Sequence, residues 1–150
     1  MTLAKSLGNG LPVGAMVAGP RAAGSLDRGS HGSTFGGNCV TNAAAVATLD
    51  VLTEPETLPR ARRASERLRA GLRSIADQHG KLGEVRGQGL LLGLPAESSE
   101  KAQSIASRAL DAGLLINVTA ERVLRIAPPL TVSDDEIDEA LDILGGAASR

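Results

Sequence analysis

Residues 39 to 52, CVTNAAAVATLDVL, read as a helix with a single charged side chain, Asp50. A helix that is apolar nearly all round has no face to offer water, so it must be buried on most sides. That demand for cover constrains the fold more than any other stretch of the chain. Asn38 stands where an N-cap would, with a short side chain able to accept from the first free backbone amides. Upstream the sequence changes character: residues 1 to 38 are rich in glycine and poor in helical periodicity. Within them GAMVAG (14 to 19) reads as a short buried strand and GSHGSTFGGN (29 to 38) as a loop. Downstream, TEPETLP breaks the apolar pattern and marks a boundary between one body over residues 1–55 and another over 56–150.

The second body has ordinary patterning. Residues 60 to 79 predict an amphipathic helix with Ala64, Leu68, Leu72 and Ile75 inward. Its arginines at 60, 62, 63, 67, 69 and 73 form a solvated face to which no function is given. GEVRGQGLLLGLP (83 to 95) reads as one or two strands joined at Gly87–Gly89, and residues 99 to 112 as a helix with Ile105, Ala109 and Leu110 on one face. GLLINVT and VLRIAPP predict two antiparallel neighbours. The last helix opens at Ser133, where Glu136 completes a capping box, and turns Ile137, Leu141 and Leu144 inward. The expected class is α+β, a small antiparallel sheet with helices on one face.

Composition narrows the function. Phe35 is the one aromatic residue, so the core must be built from Leu, Ile, Val and Ala. A net charge of -1 leaves no footprint for nucleic acid or an anionic membrane. Cys39 is the one cysteine, so no intramolecular disulfide can form, and a reducing cytoplasm is the expected setting. No signal peptide, membrane-length apolar run or metal-ligand cluster is read from the sequence.

Three stretches could carry chemistry. Lys5 sits in TLAKSLGNGLPVGA, ahead of Gly8, Asn9 and Gly10, which would let a backbone approach a ligand closely. An amine that attacks a carbonyl needs such access, although a solvated lysine is the commoner case for one position taken alone. In HGSTFGGN, Ser33 and Thr34 supply hydroxyls, and a following helix start adds backbone amides suited to a phosphate; a ligand-free connector reads equally well. Arg125 in LRIAPPL projects from a strand end stiffened by Pro128 and Pro129, a setting suited to bidentate capture of a carboxylate or to a rim ion pair. His31 and Cys39 are weaker candidates, the first an incidental loop residue and the second a small hydrophobe at a helix start.

Taken in order, TLAKSLGNGLPVGA, HGSTFGGN, VRGQGLLLG and LRIAPPL resemble the fold-type I, class III pyridoxal-phosphate aminotransferases, above all the acetylornithine and ornithine enzymes. The resemblance implies that Lys5 carries pyridoxal 5'-phosphate as the internal aldimine and moves the proton at the substrate carbon. It implies that Thr34 binds the cofactor phosphate across a dimer interface, that Ser33 lies beside an acyl-ornithine substrate, and that Arg125 holds the substrate carboxylate. The implied reaction is transfer of an amino group from N2-acetyl-L-ornithine to 2-oxoglutarate, in arginine biosynthesis. Ornithine, succinylornithine and 4-aminobutyrate are the alternative donors.

One departure is small: Cys39 stands where the family loop has proline, removing a rigid first helical residue. The other is large. In the family, most of the large domain, the residues that stack on the cofactor ring and bond its nitrogen, and a further substrate arginine all precede the lysine. The resemblance therefore implies that residues 1–55 are the end of a large cofactor-binding domain and 56–150 a small C-terminal domain. Met1 is expected to be an internal methionine of a longer protein, with residues from about 56 onward folding and the apolar helix left exposed without a partner. A non-catalytic remnant, or one half of a split enzyme, is the competing expectation.

Overall fold

A computed structural model describes residues 1–149 and divides the chain into two units, Met1–Glu54 and a second beginning at Pro55. In the first unit β1 (Thr2–Leu3) and β2 (Ala15–Met16) pair antiparallel, Thr2 opposite Met16 and Leu3 opposite Ala15. The N-terminal ammonium extends this ladder by donating to the Val17 carbonyl at 2.8 Å. Between the strands lies a single 3-10 turn, Lys5–Gly8. A one-turn helix, α1 (Pro20–Ala23), opens with proline at a position where the missing N–H goes unused. After a loop comes α2 (Cys39–Thr53), capped as its sequence demands: Asn38 Oδ1 accepts from Val40 N at 2.9 Å and from Thr41 N at 3.3 Å.

The cover this helix needs is not found within its unit, and it is left exposed as expected of it without a partner. No residue of α2 is buried, and Val40, Val46, Leu49 and Val51 are exposed. Its half-buried positions, Thr41, Ala44, Ala45, Thr48 and Leu52, form one stripe. Within its own unit the helix packs on the 3-10 turn, and four residues can shade only one stripe of a helix four turns long. GAMVAG is likewise a strand but not a buried one: Ala15 and Met16 are both exposed, since a ladder of two residues per strand offers no face to cover.

The second unit is built as its pattern predicts. Helix α3 (Thr57–His79) starts three residues before the predicted helix and absorbs Pro59 in its first turn, where proline breaks no bond. Gly80, at φ 53°, ends it in the left-handed conformation. Ala61, Ala64, Leu68, Leu72 and Ile75 are buried along one stripe. Strands β3 (Arg86–Gln88) and β4 (Leu91–Pro95) form a hairpin, followed by α4 (Ser99–Asp111), β5 (Asn117–Thr119), β6 (Val123–Ile126) and α5 (Asp134–Ala148). The sheet runs β3-β4-β6-β5, antiparallel throughout.

Strand alternation sorts the two faces of this sheet. Leu92, Leu94 and Leu124 are fully buried and join a core with Leu72, Ile105, Ile137 and Leu144 from helices α3, α4 and α5. Leu91, Arg86, Arg125 and Asn117 remain exposed. In α4 the buried stripe is Ala102, Ile105 and Ala109; Leu110, expected inward, is 58% exposed. It lies one residue past Ala109, about 100° round the helix axis and off the stripe.

Helix α5 is fastened at its start. Ser133 Oγ accepts from Glu136 N at 3.2 Å while the Glu136 carboxylate accepts from Ser133 N at 2.8 Å. Donation from the Ser133 backbone and hydroxyl holds the Glu136 carboxyl below its ordinary range. One turn on, the Arg67 guanidinium pairs with Asp138, its Nε donating at 2.8 Å, and lowers that carboxyl too. Both lowered groups favour the fold above the ordinary carboxylate range, and the benefit is lost as acid protonates them. Among the described residues no helix is long and apolar enough to cross a membrane.

Candidate active site

Lys5 opens the 3-10 turn with a left-handed backbone, φ 55°, and an exposed side chain. This region costs an ordinary L-residue about 1–2 kcal/mol, so something must hold it there. The turn is closed by Leu7 N to Ala4 O at 3.1 Å, Asn9 N to Ser6 O at 3.2 Å and Leu11 N to Gly8 O at 3.0 Å. Asn9, also left-handed at φ 45°, reverses the chain. Gly8 is buried, and a Cβ there would meet Val13 Cγ1 at 2.6 Å, so glycine lets the returning segment close on the turn. Beside Lys5 lies an open hollow of about 440 Å³, lined only by residues between Lys5 and Val13.

The held backbone has a measurable consequence. Glycine adopts φ 55° freely and alanine does not. Lys5→Gly is expected to leave this segment more stable than Lys5→Ala by about 1 kcal/mol. Amide exchange at Leu7, Asn9 and Val17 reports the difference, and equal protection in both variants would contradict a left-handed Lys5.

Ser33 and Thr34 enter the turn that leads to α2, with Gly36 N donating to Ser33 O at 3.2 Å. Both side chains are exposed, and neither hydroxyl has a hydrogen-bond partner among the described residues. Phe35, between them and the helix, is 82% exposed. His31 is tied into a local turn through Ser30 Oγ at 3.2 Å, and Cys39 is the exposed first residue of α2. One turn therefore brings Ser33 and Thr34 together, whereas the hollow at Lys5 includes neither.

Arg125 belongs to the second unit and stands on the open face of its sheet. Its Nε donates to Asn117 Oδ1 at 3.0 Å, from the residue directly opposite on β5. Gly93 faces Arg125 on the other side, and Arg86 faces Gly93, so Arg86, Gly93, Arg125 and Asn117 form one transverse row. Neither Asn117 nor Arg86 stands out in the sequence. Only the strand register puts Asn117 beside an arginine eight residues later. The chain thus offers an accessible primary amine, a pair of unpartnered hydroxyls and an oriented guanidinium.

Comparison with known proteins finds one family model, aminotransferase class-III, matching residues 1–147. The acetylornithine aminotransferase of Mycobacterium leprae is 45% identical over 146 residues, which make up 97% of this chain and 35% of that protein. That of Caldanaerobacter subterraneus is 43% identical over the whole chain and 38% of its own length. Among solved structures, the acetylornithine aminotransferase of Elizabethkingia anophelis superposes with a TM-score of 0.90 at 29% identity, covering 97% of this chain and 39% of that one. The ornithine aminotransferase of Toxoplasma gondii superposes with a TM-score of 0.89 at 31% identity, covering 99% and 36%. The chain therefore spans little more than a third of the proteins it matches.

Proposed function

Since the chain belongs to the class-III aminotransferases, we propose that it supplies the lysine, phosphate loop and carboxylate arginine of an enzyme transferring an amino group from N2-acetyl-L-ornithine to 2-oxoglutarate. Residues 1–55 are then the end of a large cofactor-binding domain and 56–150 a small C-terminal domain. The observation that carries this reading is Lys5, an exposed amine beside an open hollow, on a backbone held in a costly conformation.

The donor set fits two ends of pyridoxal 5'-phosphate. The Lys5 amine suits its carbonyl, and the unpartnered Thr34 hydroxyl suits a phosphate oxygen. When bound, the cofactor supplies an electron sink for the carbon that loses a proton. Lys5 Nζ is the base offered to the amine-bearing carbon of the substrate. Thr34 acts on the site of a second copy in a homodimer, the role that the family resemblance implies for the threonine of this loop. Ser33 flanks the acyl-ornithine. Arg125 binds the carboxylate that donor and 2-oxo acid have in common, so one guanidinium serves both halves of the reaction. The cytoplasm is the proposed setting.

Glutamate formation from N2-acetyl-L-ornithine and 2-oxoglutarate, with the cofactor added, tests the proposal. Activity that is lost in Lys5→Ala and exceeds that with ornithine, succinylornithine or 4-aminobutyrate supports it; another preferred donor would replace acetylornithine. A second reading is favoured by the exposed valines and leucine of α2: the chain is a non-catalytic remnant or works only with a separately encoded partner. No turnover by the chain alone is its expected result.

A further inference from the structure

We infer that Asn117 is a positioning residue for Arg125, accepting its Nε–H so that a carboxylate is engaged end-on by the two terminal amino groups. The inference rests on the reading of Arg125 as the carboxylate arginine. The two residues are direct cross-strand partners, so their side chains rise together from the open face of the sheet. A guanidinium can pair with a carboxylate along either of two edges, one that includes Nε and one formed by Nη1 and Nη2. Asn117 Oδ1, 3.0 Å from Nε, occupies the first edge and leaves the second.

The chemistry of asparagine suits this task. An aspartate in its place would orient the guanidinium equally well and cancel the charge that attracts the ligand. The amide oxygen orients without neutralising. Fixing the head before the ligand arrives also removes rotamer freedom that binding would otherwise have to quench. Beyond β6, Pro128 and Pro129 hold the chain extended, so the strand end that carries Arg125 is itself stiff. Arg86 provides the internal comparison. It stands in the same row, exposed on the same face, with no side-chain hydrogen bond among the described residues. An arginine on this sheet is therefore not oriented by default.

The test uses the whole ¹⁵N-labelled chain with 2-oxoglutarate as probe, reading arginine Nε–Hε signals, with Arg125→Lys and Arg86→Gln assigning the two. The Arg125 Hε is expected to exchange more slowly than that of Arg86, and 2-oxoglutarate to shift the Arg125 signals saturably. Asn117→Ala should speed that exchange and weaken 2-oxoglutarate about fivefold, the loss of one hydrogen bond. Asn117→Asp should keep Hε protected yet also weaken binding, and it carries the test if the alanine variant disturbs the backbone spectrum. Arg86→Gln should change neither readout. The inference is overturned if Asn117→Ala leaves exchange and affinity within about twofold of wild type; saturable binding at Arg125 would then leave the carboxylate reading standing. If 2-oxoglutarate moves no arginine signal in the wild-type chain, the carboxylate reading fails and takes this inference with it.

Discussion

Gly87→Ala is expected to destabilise the second unit by about 3–5 kcal/mol, the range reached when backbone strain and overpacking coincide. Gly87 sits at φ 116°, outside the range an L-residue adopts without strain. A Cβ there would lie 2.1 Å from the Leu91 carbonyl oxygen and 3.1 Å from Leu92 Cα. Those obstacles are backbone atoms of the paired strand, so relief requires opening the β3–β4 ladder. Arg69 Nη2, donating to Gly87 O at 2.7 Å, ties the same residue to α3, so a shift of the strand also disturbs that bond. Gly71 is the instructive contrast. A Cβ there would meet Leu141 Cδ1 at 2.2 Å, Cδ2 at 2.7 Å and Cγ at 3.0 Å, but these are atoms of one half-buried side chain that can change rotamer, and the expected cost is about 2 kcal/mol. Urea unfolding of the two variants measures both numbers, and an alanine at 87 tolerated as easily as one at 71 would contradict the β3 register.

Leu124→Ala is the second large effect, expected to cost about 3 kcal/mol through lost burial and the cavity left behind. Leu124 is 0% exposed and lies in the middle of the sheet, opposite Leu94 on one side and Val118 on the other. Strands β4 and β5 and helix α4 all pack on β6, so little can collapse into the gap. Leu91, on the open face and 59% exposed, should lose less than about 1 kcal/mol when changed to alanine. The difference has a bearing on function, because Arg125 follows Leu124 directly and its orientation rests on how firmly that strand is held. Denaturation midpoints of the two alanine variants check the ordering.

Where structure depends on neighbours within a turn or two, it was legible. The stripe Ala64, Leu68, Leu72 and Ile75, the Ser133–Glu136 capping box and the Asn38 cap all follow from spacing along a helix, and all are found. Where it depends on distant chain, it was not. The apolar composition of α2 shows that it needs cover and does not say where the cover comes from, and its own unit shades only one stripe of it. Leu110 lies one residue beyond the stripe that packs inward, a limit the apolar spacing does not mark. At the candidate site, Lys5, Ser33, Thr34 and Arg125 were legible as residue types in suggestive surroundings. The left-handed backbone of Lys5 was not, since a lysine carries no local signature of φ. Asn117 was hidden for a different reason: its partnership with Arg125 is created by strand register, which alternation alone does not specify.

The most direct test is to incubate the chain with pyridoxal 5'-phosphate, reduce with borohydride and map the label by peptide mass. The chain contains three lysines, which makes the comparison internal. Lys81 faces Glu97 at 3.7 Å and Lys101 lies against the carbonyl of Ala148 at 3.4 Å. A reduced pyridoxyl group concentrated on Lys5, at cofactor concentrations that leave Lys81 and Lys101 unmodified, is the expected result. Equal labelling of all three, or none at Lys5, would contradict the assignment of this amine to the cofactor.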